Sequence, residues 1–435
     1  MRITNRYKIS IIILAVVLVY INTAYTQCNN PQNFINTKRF ILRIDENVKS
    51  ALAEIPYVEH YYIFKNAPFI FVEVKRSNEE RFLTRIKRLK FITKIFNDTF
   101  KKPYYFIPND PLFYDQWYAD FLGLPYFWVN VKSSYGTLDT SESVVIAIID
   151  TGVDLEHPEL KDTFWVNKME VPGNEIDDDA NGYIDDINGI NSDCMGCKNQ
   201  DIQATECSNH GTFIAGIISA QKNNNEGIAG IGPNNIKLLI CKAGTDSGMP
   251  NSSVYRALDY IIEMKKRGVN IVAVNMAYGG DERVDLEEYL LSQFGDLNMM
   301  SIIAAGNEDR NIDLRPIYPA SYRLDNSIVV GSIDQNGRKS SFSNYGLNTL
   351  DIFAPGEMIL TTAYIYGEHG YGVVEGTSIS SPMVAAAIAY LYQLYPDSSI
   401  YDLKRLLIQN GAISLPLRLY GNSGRILDFR NLYSP

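Results

Sequence analysis

Three short segments supply the residue types that nucleophilic catalysis needs. Asp150 closes the apolar run 144–149, His210 opens the segment HGTFIAG, and Ser378 opens the segment SISSPMV. A serine hydroxyl is a poor nucleophile until a base removes its proton, and a carboxylate can fix the tautomer of a histidine base. Alone, an aspartate after a strand is usually a cap or turn residue. In combination, the three segments predict acyl transfer by a triad.

The choice of base is narrow because the chain has only four histidines. His60 lies in the N-terminal part, His157 soon after the Asp150 segment, and His369 in a glycine-rich stretch. His210 stands at a predicted helix start, where neighbouring glycines allow close approach. Ser378 also stands at a helix start, where outward-pointing N–H groups favour an oxyanion.

These residues must be positioned by alternating strands and helices. From about residue 110 onward, continuous apolar runs typical of buried strands alternate with stretches typical of helices. This alternation predicts an α/β domain over residues 112–435, with a parallel sheet covered by helices on both faces. Predicted strands are 144–149, 236–241, 271–274, 301–305 and 328–330; predicted helices begin near 212 and span 254–266 and 381–394.

Residues 36–100 predict a separate, smaller unit. Their apolar periodicity gives the order β-α-β-β-α-β, a compact α+β sandwich of helices on a sheet. The predicted strands are 40–44, 61–64, 69–74 and 91–96, and the predicted helices are 47–55 and 82–89. The polar, proline-containing segment 97–111 predicts a linker.

The first 26 residues have the pattern of a secretory signal peptide. Three basic residues precede the apolar run 11–21, and small residues follow it. The run is shorter than the ~20 residues of a spanning helix, so cleavage near Ala24 or Thr26 is favoured over a membrane anchor. We therefore expect a secreted protein, or one in the secretory lumen, with no stable membrane span after signal removal.

Charge is distributed unevenly along the chain. The net charge of −10 argues against nucleic-acid binding. Residues 38–102 nevertheless hold 15 Lys/Arg against 8 Asp/Glu. A basic unit before an acidic body suggests two parts that attract one another, with a fortuitous surface bias as the alternative.

The four cysteines other than Cys28 fall into two groups. Cys194, Cys197 and Cys207 lie close together in a polar stretch, and two of them could pair in an oxidising compartment. Which two would pair stays open. Cys241 lies in an apolar run and is predicted to be a buried thiol.

The three catalytic segments resemble the signatures of the subtilase family, whose triad has the chain order Asp, His, Ser. The resemblance covers roughly residues 36–410 and implies a subtilisin-like fold and serine endopeptidase activity. It departs from the usual pattern at Phe213, Ala277 and the pair 380–381, none of which is a triad member. The matching stretches are IIDTGVD at 148–154, HGTFIAGI at 210–217 and GTSISSPMVA at 376–385.

The resemblance also implies roles for residues beyond the triad. The stretch 301–308 matches the family's oxyanion segment, so Asn307 is expected to donate its side-chain amide to the transition state. The stretch 275–280 matches the edge strand that pairs with substrate backbone. Ala277, Tyr278 and Gly279 are therefore expected to bind substrate, and the first two leave the primary specificity open.

The N-terminal unit resembles the family's inhibitor propeptide. The resemblance implies a zymogen whose propeptide assists folding, is cut off by the enzyme itself within 97–111, and remains bound as an inhibitor. In the family, the tail of the propeptide lies in the active cleft. A permanent N-terminal domain with a binding role is the alternative.

Residues 177–185 follow the pattern D-x-D-x-N-G-x-x-D, in which oxygen ligands at alternate positions wrap a hard cation. The predicted calcium ligands are Asp177, Asp179, Asn181 and Asp185. An acidic turn without a metal is the alternative, and Asn188 at the twelfth position departs from an EF-hand.

The resemblance suggests a second calcium site. Gln116, Glu159 and Asn223, within the loop 223–225, match positions that build the family's high-affinity site. Glu159 stands where an aspartate is more common.

The sequence thus predicts a secreted, self-processing serine endopeptidase with structural Ca²⁺, acting on extended protein or peptide substrates. A catalytically silent secreted binding module on a subtilase scaffold is the main alternative. The complete triad, Asn307 and the N-terminal unit favour the enzyme. A calcium-dependent adhesion protein would explain the acidic loop but not the three motifs.

Overall fold

The computed structural model divides into two compact units, with the boundary between residues 103 and 104. The predicted signal peptide, residues 47–54 of a predicted helix, most of the predicted linker and the Cys194, Cys197 and Cys207 group lie outside the described residues. The structure describes residues 37–44, 55–64, 67–89, 92–97, 106–135, 143–193, 199, 201–205 and 208–432.

The N-terminal unit is an antiparallel sheet with a helix packed on one face. Its strands run in the order β2-β3-β1-β4. Alternate residues of the central strands, such as Phe40 and Val72, are buried against Phe82 and Ile86 of the helix. The elements are β1 Thr37–Ile44, β2 Val58–Ile63, β3 Phe69–Lys75, α1 Glu79–Ile86 and β4 Ile92–Asn97.

The second unit is an α/β domain built on a nine-stranded sheet. The strand order is β14-β15-β11-β10-β9-β8-β5-β7-β6, and only the β14–β15 pair at one edge is antiparallel among the pairs described. Its sheet strands are β5 Val144–Asp150, β6 Gly189–Asn191, β7 Ile236–Lys242, β8 Ile271–Met276, β9 Met300–Ala304, β10 Ser327–Ile333, β11 Ile352–Pro355, β14 Ala412–Ile413 and β15 Arg425–Ile426.

Helices cover both faces of this sheet, as the continuous apolar strands predicted. Every residue of β5 is buried. Ile146 and Ile148 belong to the hydrophobic core on one face, whereas Val145, Ala147 and Ile149 belong to the core on the other. The helices are α2 Trp117–Phe121, α3 Leu124–Tyr135, α4 His210–Ser219, α5 Asn251–Lys266, α6 Asp285–Asp296, α7 Thr377–Leu394 and α8 Ile400–Asn410.

The structure adds elements that the sequence analysis did not predict, and two differences lie close to the predicted catalytic segments or between them. Helix α7 begins at Thr377 instead of residue 381, so Pro382 lies within the helix. Pro382 cannot donate a backbone hydrogen bond to the Ser378 carbonyl, whose oxygen instead accepts the Ser381 hydroxyl. A separate antiparallel hairpin, β12 Ile359–Ile365 and β13 Glu368–Val374, was not predicted.

The sheet order explains how residues far apart in sequence reach one place. Strands β9, β8 and β5 are neighbours and parallel. Asp150 ends β5, residues 277–279 follow β8, and Asn307 lies three residues after β9. Because carboxyl ends of parallel strands meet at one edge, this edge is where a ligand site is expected. Among the described residues, none of the helices is long and apolar enough to cross a membrane.

Candidate active site

The three predicted triad residues form a continuous hydrogen-bonded chain. His210 Nδ1 lies 3.0 Å from both carboxylate oxygens of Asp150, and Nε2 lies 3.0 Å from Ser378 Oγ. Asp150 is fully buried, and Ser378 is 8% exposed. With Nδ1–H donated to the carboxylate, Nε2 is left as an acceptor for the serine proton.

The local backbone lets these elements come together. Gly211 follows His210 in α4, and a Cβ there would lie 2.3 Å from the carbonyl oxygen of Gly152. Gly376 has a φ of +146°, and its Cβ would lie 3.0 Å from Ser378 Oγ. Any larger residue at either position would push the helix start away from the strand end or crowd the hydroxyl.

Opposing effects act on the titration of His210. Burial lowers its pKa, but the charge and hydrogen bond of Asp150, with a further contribution from Asp246, raise it to a net value above the ordinary one. The arrangement therefore favours a protonated imidazole, the form that appears after a base has accepted a proton.

Asn307 lies beside the serine with its amide available. Its Oδ1 accepts hydrogen bonds from the backbone N–H and the hydroxyl of Thr377, at 2.9 and 3.0 Å. This fixes the carboxamide orientation, so that Nδ2 lies on the other side, 3.5 Å from a Cβ placed at Gly376. An N–H donor aimed at this point can stabilise an oxyanion.

The segment after β8 lines two cavities. Ala277, Tyr278 and Gly279 lie in the wall of a cavity of about 190 Å³ that also contains Ser378 and Asn307. The same three residues and His210 line both this cavity and a second one of about 620 Å³. Phe213, which departs from the family pattern, lies in the wall of the second cavity with its ring centroid 6.2 Å from that of His210.

Sequence reasoning missed Asp246. Its carboxylate accepts hydrogen bonds from the Thr151 hydroxyl at 2.8 Å and from the backbone N–H groups of Asn209 and His210 at 3.1 to 3.3 Å. It thus caps the start of α4, where a negative charge is stabilised by the helix dipole. The available signal was its position just after β7, the neighbour of β5.

The acidic segment brings together only some of the predicted ligands. Carboxylate oxygens of Glu170, Asp177 and Asp179 lie within 4.8 Å of one another. Asn181 donates its backbone N–H and its amide to this group. Asp185 instead accepts the N–H groups of Gly173 and Glu175. Glu170, which the pattern did not predict, therefore joins the cluster, whereas the Asp185 carboxylate turns to another part of the loop.

The acidic cluster fits a hard cation by its donor set. Three carboxylates supply the oxygen ligands that calcium prefers, and close approach of like charges is costly without a counter-charge. Arg267 Nη1, at 3.9 Å from Asp179 Oδ1, supplies part of that counter-charge.

The three residues predicted for the second calcium site also differ in their hydrogen-bond partners. Glu159 is buried and accepts hydrogen bonds from the N–H of Ile228 and the amide of Asn224. Asn223 contributes through its backbone N–H, which it donates to Asp110. The Gln116 side chain binds the backbone of Ala229: its amide N–H donates to the Ala229 carbonyl, and its amide oxygen accepts the Ala229 N–H.

Asp110 is the residue that the sequence analysis overlooked in this group. It is 2% exposed and also accepts the N–H of Asn224. Burial raises its pKa, and burial raises the pKa of Glu159 to about 7, with the charge of Asp110 adding to the rise. Two buried carboxylates near one loop fit a divalent cation, which would remove this penalty. The Asn-Asp-Pro sequence before Gln116 was the available signal.

Cys241 is buried and forms no disulfide, as predicted from its apolar run.

The model of the subtilase family matches residues 141–423. The chain is 28% identical over 371 residues to subtilisin-like protease 1 of Plasmodium berghei, covering 81% of this chain and 57% of that protein. It is 30% identical to the major intracellular serine protease of Bacillus subtilis, covering 59% of this chain and 70% of that protein.

The solved structures add support for the fold alone. A structure described as a protease from Pseudoalteromonas arctica aligns with a TM-score of 0.58 at 24% identity, covering 75% of this chain and 98% of that one. The chain spans 57% of the length of the Plasmodium berghei relative and 41% of the Plasmodium falciparum one.

Proposed function

The chain belongs to the subtilase family, and on that premise we propose that it is a secreted serine endopeptidase made as a self-processing zymogen. The observation that carries the proposal is the chain of 3.0 Å contacts from Asp150 through His210 to Ser378. Protein or peptide substrates in an extended conformation are the proposed substrates.

In the proposed reaction, Ser378 Oγ attacks the scissile carbonyl while its proton moves to His210 Nε2. Asp150 holds the imidazole in the tautomer that can accept this proton and stabilises the imidazolium that results. His210 then donates the proton to the leaving amine, and a water molecule repeats the sequence to release the acyl group.

The developing oxyanion would be met by donors that are already in place. Asn307 Nδ2 is one, because Thr377 fixes the orientation of the Asn307 carboxamide. The backbone N–H of Ser378, in the first turn of α7, is the other. Since Thr377 fixes the Asn307 amide and α7 fixes the Ser378 N–H, these donors cost little reorganisation during the reaction.

We further propose that residues 1–26 direct secretion and that residues 36–100 act as an inhibitory propeptide. The unit is predicted to be basic. Among the described residues, the face of its sheet opposite α1 carries the exposed aromatic residues Tyr62, Phe64 and Phe96. Such a face is typical of a surface with a partner. Self-cleavage is proposed within 97–111, before the catalytic domain at 112–435.

Structural calcium is proposed at two places. The first is the cluster of Glu170, Asp177 and Asp179, and the second is the pair Asp110 and Glu159 with its neighbouring loop. At both, buried or converging carboxylates would gain a counter-charge, so calcium would favour the folded state.

A fluorophosphonate probe tests the proposed chemistry. The purified protein should hydrolyse casein, lose this activity on treatment, and carry the label on Ser378. Ser378→Ala should abolish labelling, whereas Ser381→Ala, one turn along the same helix, should keep it. Hydrolysis that persists after complete labelling, or a label on another residue, would contradict the mechanism.

Processing is tested with the same variant. Ser378→Ala, expressed in a host without other extracellular proteases, should lose its signal peptide and then accumulate uncut, whereas the wild type yields two fragments. Normal cleavage of Ser378→Ala would exclude self-processing. Addition of the separated N-terminal fragment should inhibit the mature enzyme, more weakly as salt rises.

A further inference from the structure

The larger cavity extends well beyond the reaction centre. It has a volume of about 620 Å³, and its wall contains His210, Phe213, the segment 277–280, Glu282 and Glu287. Ala277 to Gly279 also line the smaller cavity at Ser378, whereas Gly280 and Glu282 line only the larger one. The segment thus leads away from the serine toward an acidic end.

The alternation of side chains along an extended peptide assigns substrate residues to the two cavities. Successive side chains of a strand point to opposite faces, and residues two apart lie ~7 Å from one another on the same face. If the residue before the scissile bond enters the cavity at Ser378, the second and fourth residues before the bond face the larger cavity. The second then lies near His210, and the fourth lies near Glu287.

Glu287 is an unusual group to find in the wall of a cavity. It lies in the first turn of α6 and is only 6% exposed. Its Oε2 accepts a hydrogen bond from the Tyr322 hydroxyl at 2.8 Å. Within the described part of the chain, Oε1 has no hydrogen-bond partner and the carboxylate has no salt bridge to a lysine or arginine. A buried carboxylate without a counter-charge is costly unless a cation joins it.

The neighbours of Glu287 add acceptors and no positive charge. Tyr278 has a buried hydroxyl without a hydrogen-bond partner among the described residues. Burial raises the pKa of Tyr255, and the charges of Glu287 and Glu282 raise it further, so both carboxylates lie close to this phenol. A positively charged side chain would therefore find one buried carboxylate, one exposed carboxylate and phenol oxygens at the same end of the cavity.

The remaining wall suits the stem of a long basic side chain. Met249 and Val254 line the cavity together with the ring of Tyr255. Lysine and arginine carry apolar stems that pack on such surfaces while the charged head reaches a polar partner. Two other acidic residues line the wall, and both are already engaged: Asp281 pairs with Arg310, and Asp246 accepts hydrogen bonds from the Thr151 hydroxyl and the backbone N–H groups at the start of α4. Among the described residues, Glu287 and Glu282 are therefore the carboxylates left for a ligand.

We propose that this cavity selects substrates with lysine or arginine at the fourth position before the scissile bond, and that Glu287 determines this specificity. The inference rests on the proposed function, since it assumes a peptide substrate along the segment 277–280. It adds a substrate class: proteins with a basic residue upstream of the cut.

Matched peptides test the inference on the mature enzyme. Quenched fluorescent peptides that differ only at the fourth position would carry lysine, arginine, norleucine or glutamate. Norleucine matches the lysine stem without its ammonium group. In the wild type, kcat/KM for lysine should exceed that for norleucine by about 10- to 100-fold, the range of one desolvated ionic contact. Glutamate should be the poorest residue.

Two variants assign the effect to one carboxylate. Glu287→Gln should bring the lysine-to-norleucine ratio close to one, because it removes the charge and retains the shape. Glu288→Gln is the control, since Glu288 neighbours Glu287 on α6 but faces Arg283. It should keep the wild-type ratio. A wild-type ratio near one, or a ratio that survives in Glu287→Gln, would overturn the inference.

The pH dependence of the same ratio gives a second measure. Burial raises the pKa of Glu287, so the ionised fraction, and with it the preference for lysine, should grow as pH rises through this pKa. The ratio should be flat in Glu287→Gln. The titratable groups around Glu287 are Tyr255, Tyr278, Tyr322 and Glu282, with Asp285 and Glu288 on its own helix.

Casein hydrolysis separates this inference from the proposed function. If casein is cleaved and the serine probe blocks the cleavage, but lysine peptides have no advantage, the specificity alone is wrong. If neither casein nor any peptide is cleaved by the mature protein, both the function and the specificity are overturned.

Discussion

The proposed reaction centre and the acidic loop of residues 170–186, called the insert below, hold their carboxylates in opposite ways. Asp150 ends a strand whose residues are all buried, and its partner His210 begins a helix packed in the core. In the insert, Asp177 accepts the N–H groups of Asn181 and Gly182 from its own loop. Packing of regular elements thus positions the first carboxylate, whereas local hydrogen bonds position the second.

This difference predicts whether a substitution in each region should affect mainly the reaction rate or mainly the stability of the fold. In the reaction centre, the geometry is set by the sheet and its helices, so removal of a functional group should cost rate more than stability. In the insert, three carboxylates converge, so the loop depends on whatever offsets their repulsion, and changes there should cost stability more than rate.

The largest expected effect is on catalysis by Asp150→Asn. The substitution keeps the shape but favours the wrong imidazole tautomer, and we expect kcat to fall by about 10⁴-fold. The melting temperature should change by only a few degrees. Steady-state kinetics with calorimetry on the same sample test this. A large loss of stability with kcat retained would contradict the expectation that Asp150 affects rate more than stability.

Asn307→Leu should have the next largest effect. The oxyanion exists only during the reaction, so loss of its donor should lower kcat by roughly 10²–10³-fold and leave KM nearly unchanged. Active-site titration must accompany the kinetics, so that kcat refers to folded enzyme. An unchanged kcat would remove Asn307 from the oxyanion site.

The insert should respond in the other direction. Chelation of calcium should lower the melting temperature, since a ligand at about 100 times its dissociation constant contributes about 2.7 kcal/mol to folding. Asp177→Asn with Asp179→Asn should reduce the bound calcium, lower the melting temperature and leave kcat/KM well below that temperature unchanged. Glu156→Gln, an exposed acidic residue elsewhere, is the control.

Two results would contradict this expectation for the insert. One is the same melting temperature with chelator and with calcium. The other is a loss of kcat/KM that exceeds the loss of stability, since that would place the insert in the chemistry.

The contrast also explains what the sequence could predict. Continuous apolar strands predicted the parallel sheet, because a strand buried on both faces must lie between helices. Once that sheet exists, Asp150 and the segments after β8 and β9 meet at its carboxyl edge. The segments of the proposed triad could therefore be predicted from strand ends, helix starts and short local patterns.

Loop residues were harder to predict because their partners are distant in the chain. Glu170 joins Asp177 and Asp179 by a reversal of the loop that the nine-residue pattern does not contain. Asp110 meets Asn223 and Asn224 across more than a hundred residues. Gln116 remains a predicted calcium ligand, and its side chain also binds the backbone of Ala229. Residue type alone does not decide such contacts.

Asp246 is a loop residue that contacts the proposed reaction centre, and its substitution should have the smallest effect on activity of those considered. It belongs to a loop, yet its carboxylate accepts the N–H of His210 and the hydroxyl of Thr151. Burial lowers the pKa of His210, while Asp150 and then Asp246 raise it. Asp246→Asn keeps an acceptor oxygen for these donors but removes the charge. The pKa of His210 should therefore fall.

The sign of the resulting pH shift follows from the role of the base. His210 must be neutral to accept the serine proton, so kcat/KM rises as pH passes upward through its pKa. A lower pKa moves this acidic limb to lower pH in Asp246→Asn, while the plateau should fall less than in Asn307→Leu. Asp281→Asn is the control, because Asp281 lines the same cavity but pairs with Arg310. An acidic limb that stays in place would show that Asp246 serves the helix start alone and has no influence on the base. A limb that moves to higher pH would contradict the direction of the effect assigned to the Asp246 charge.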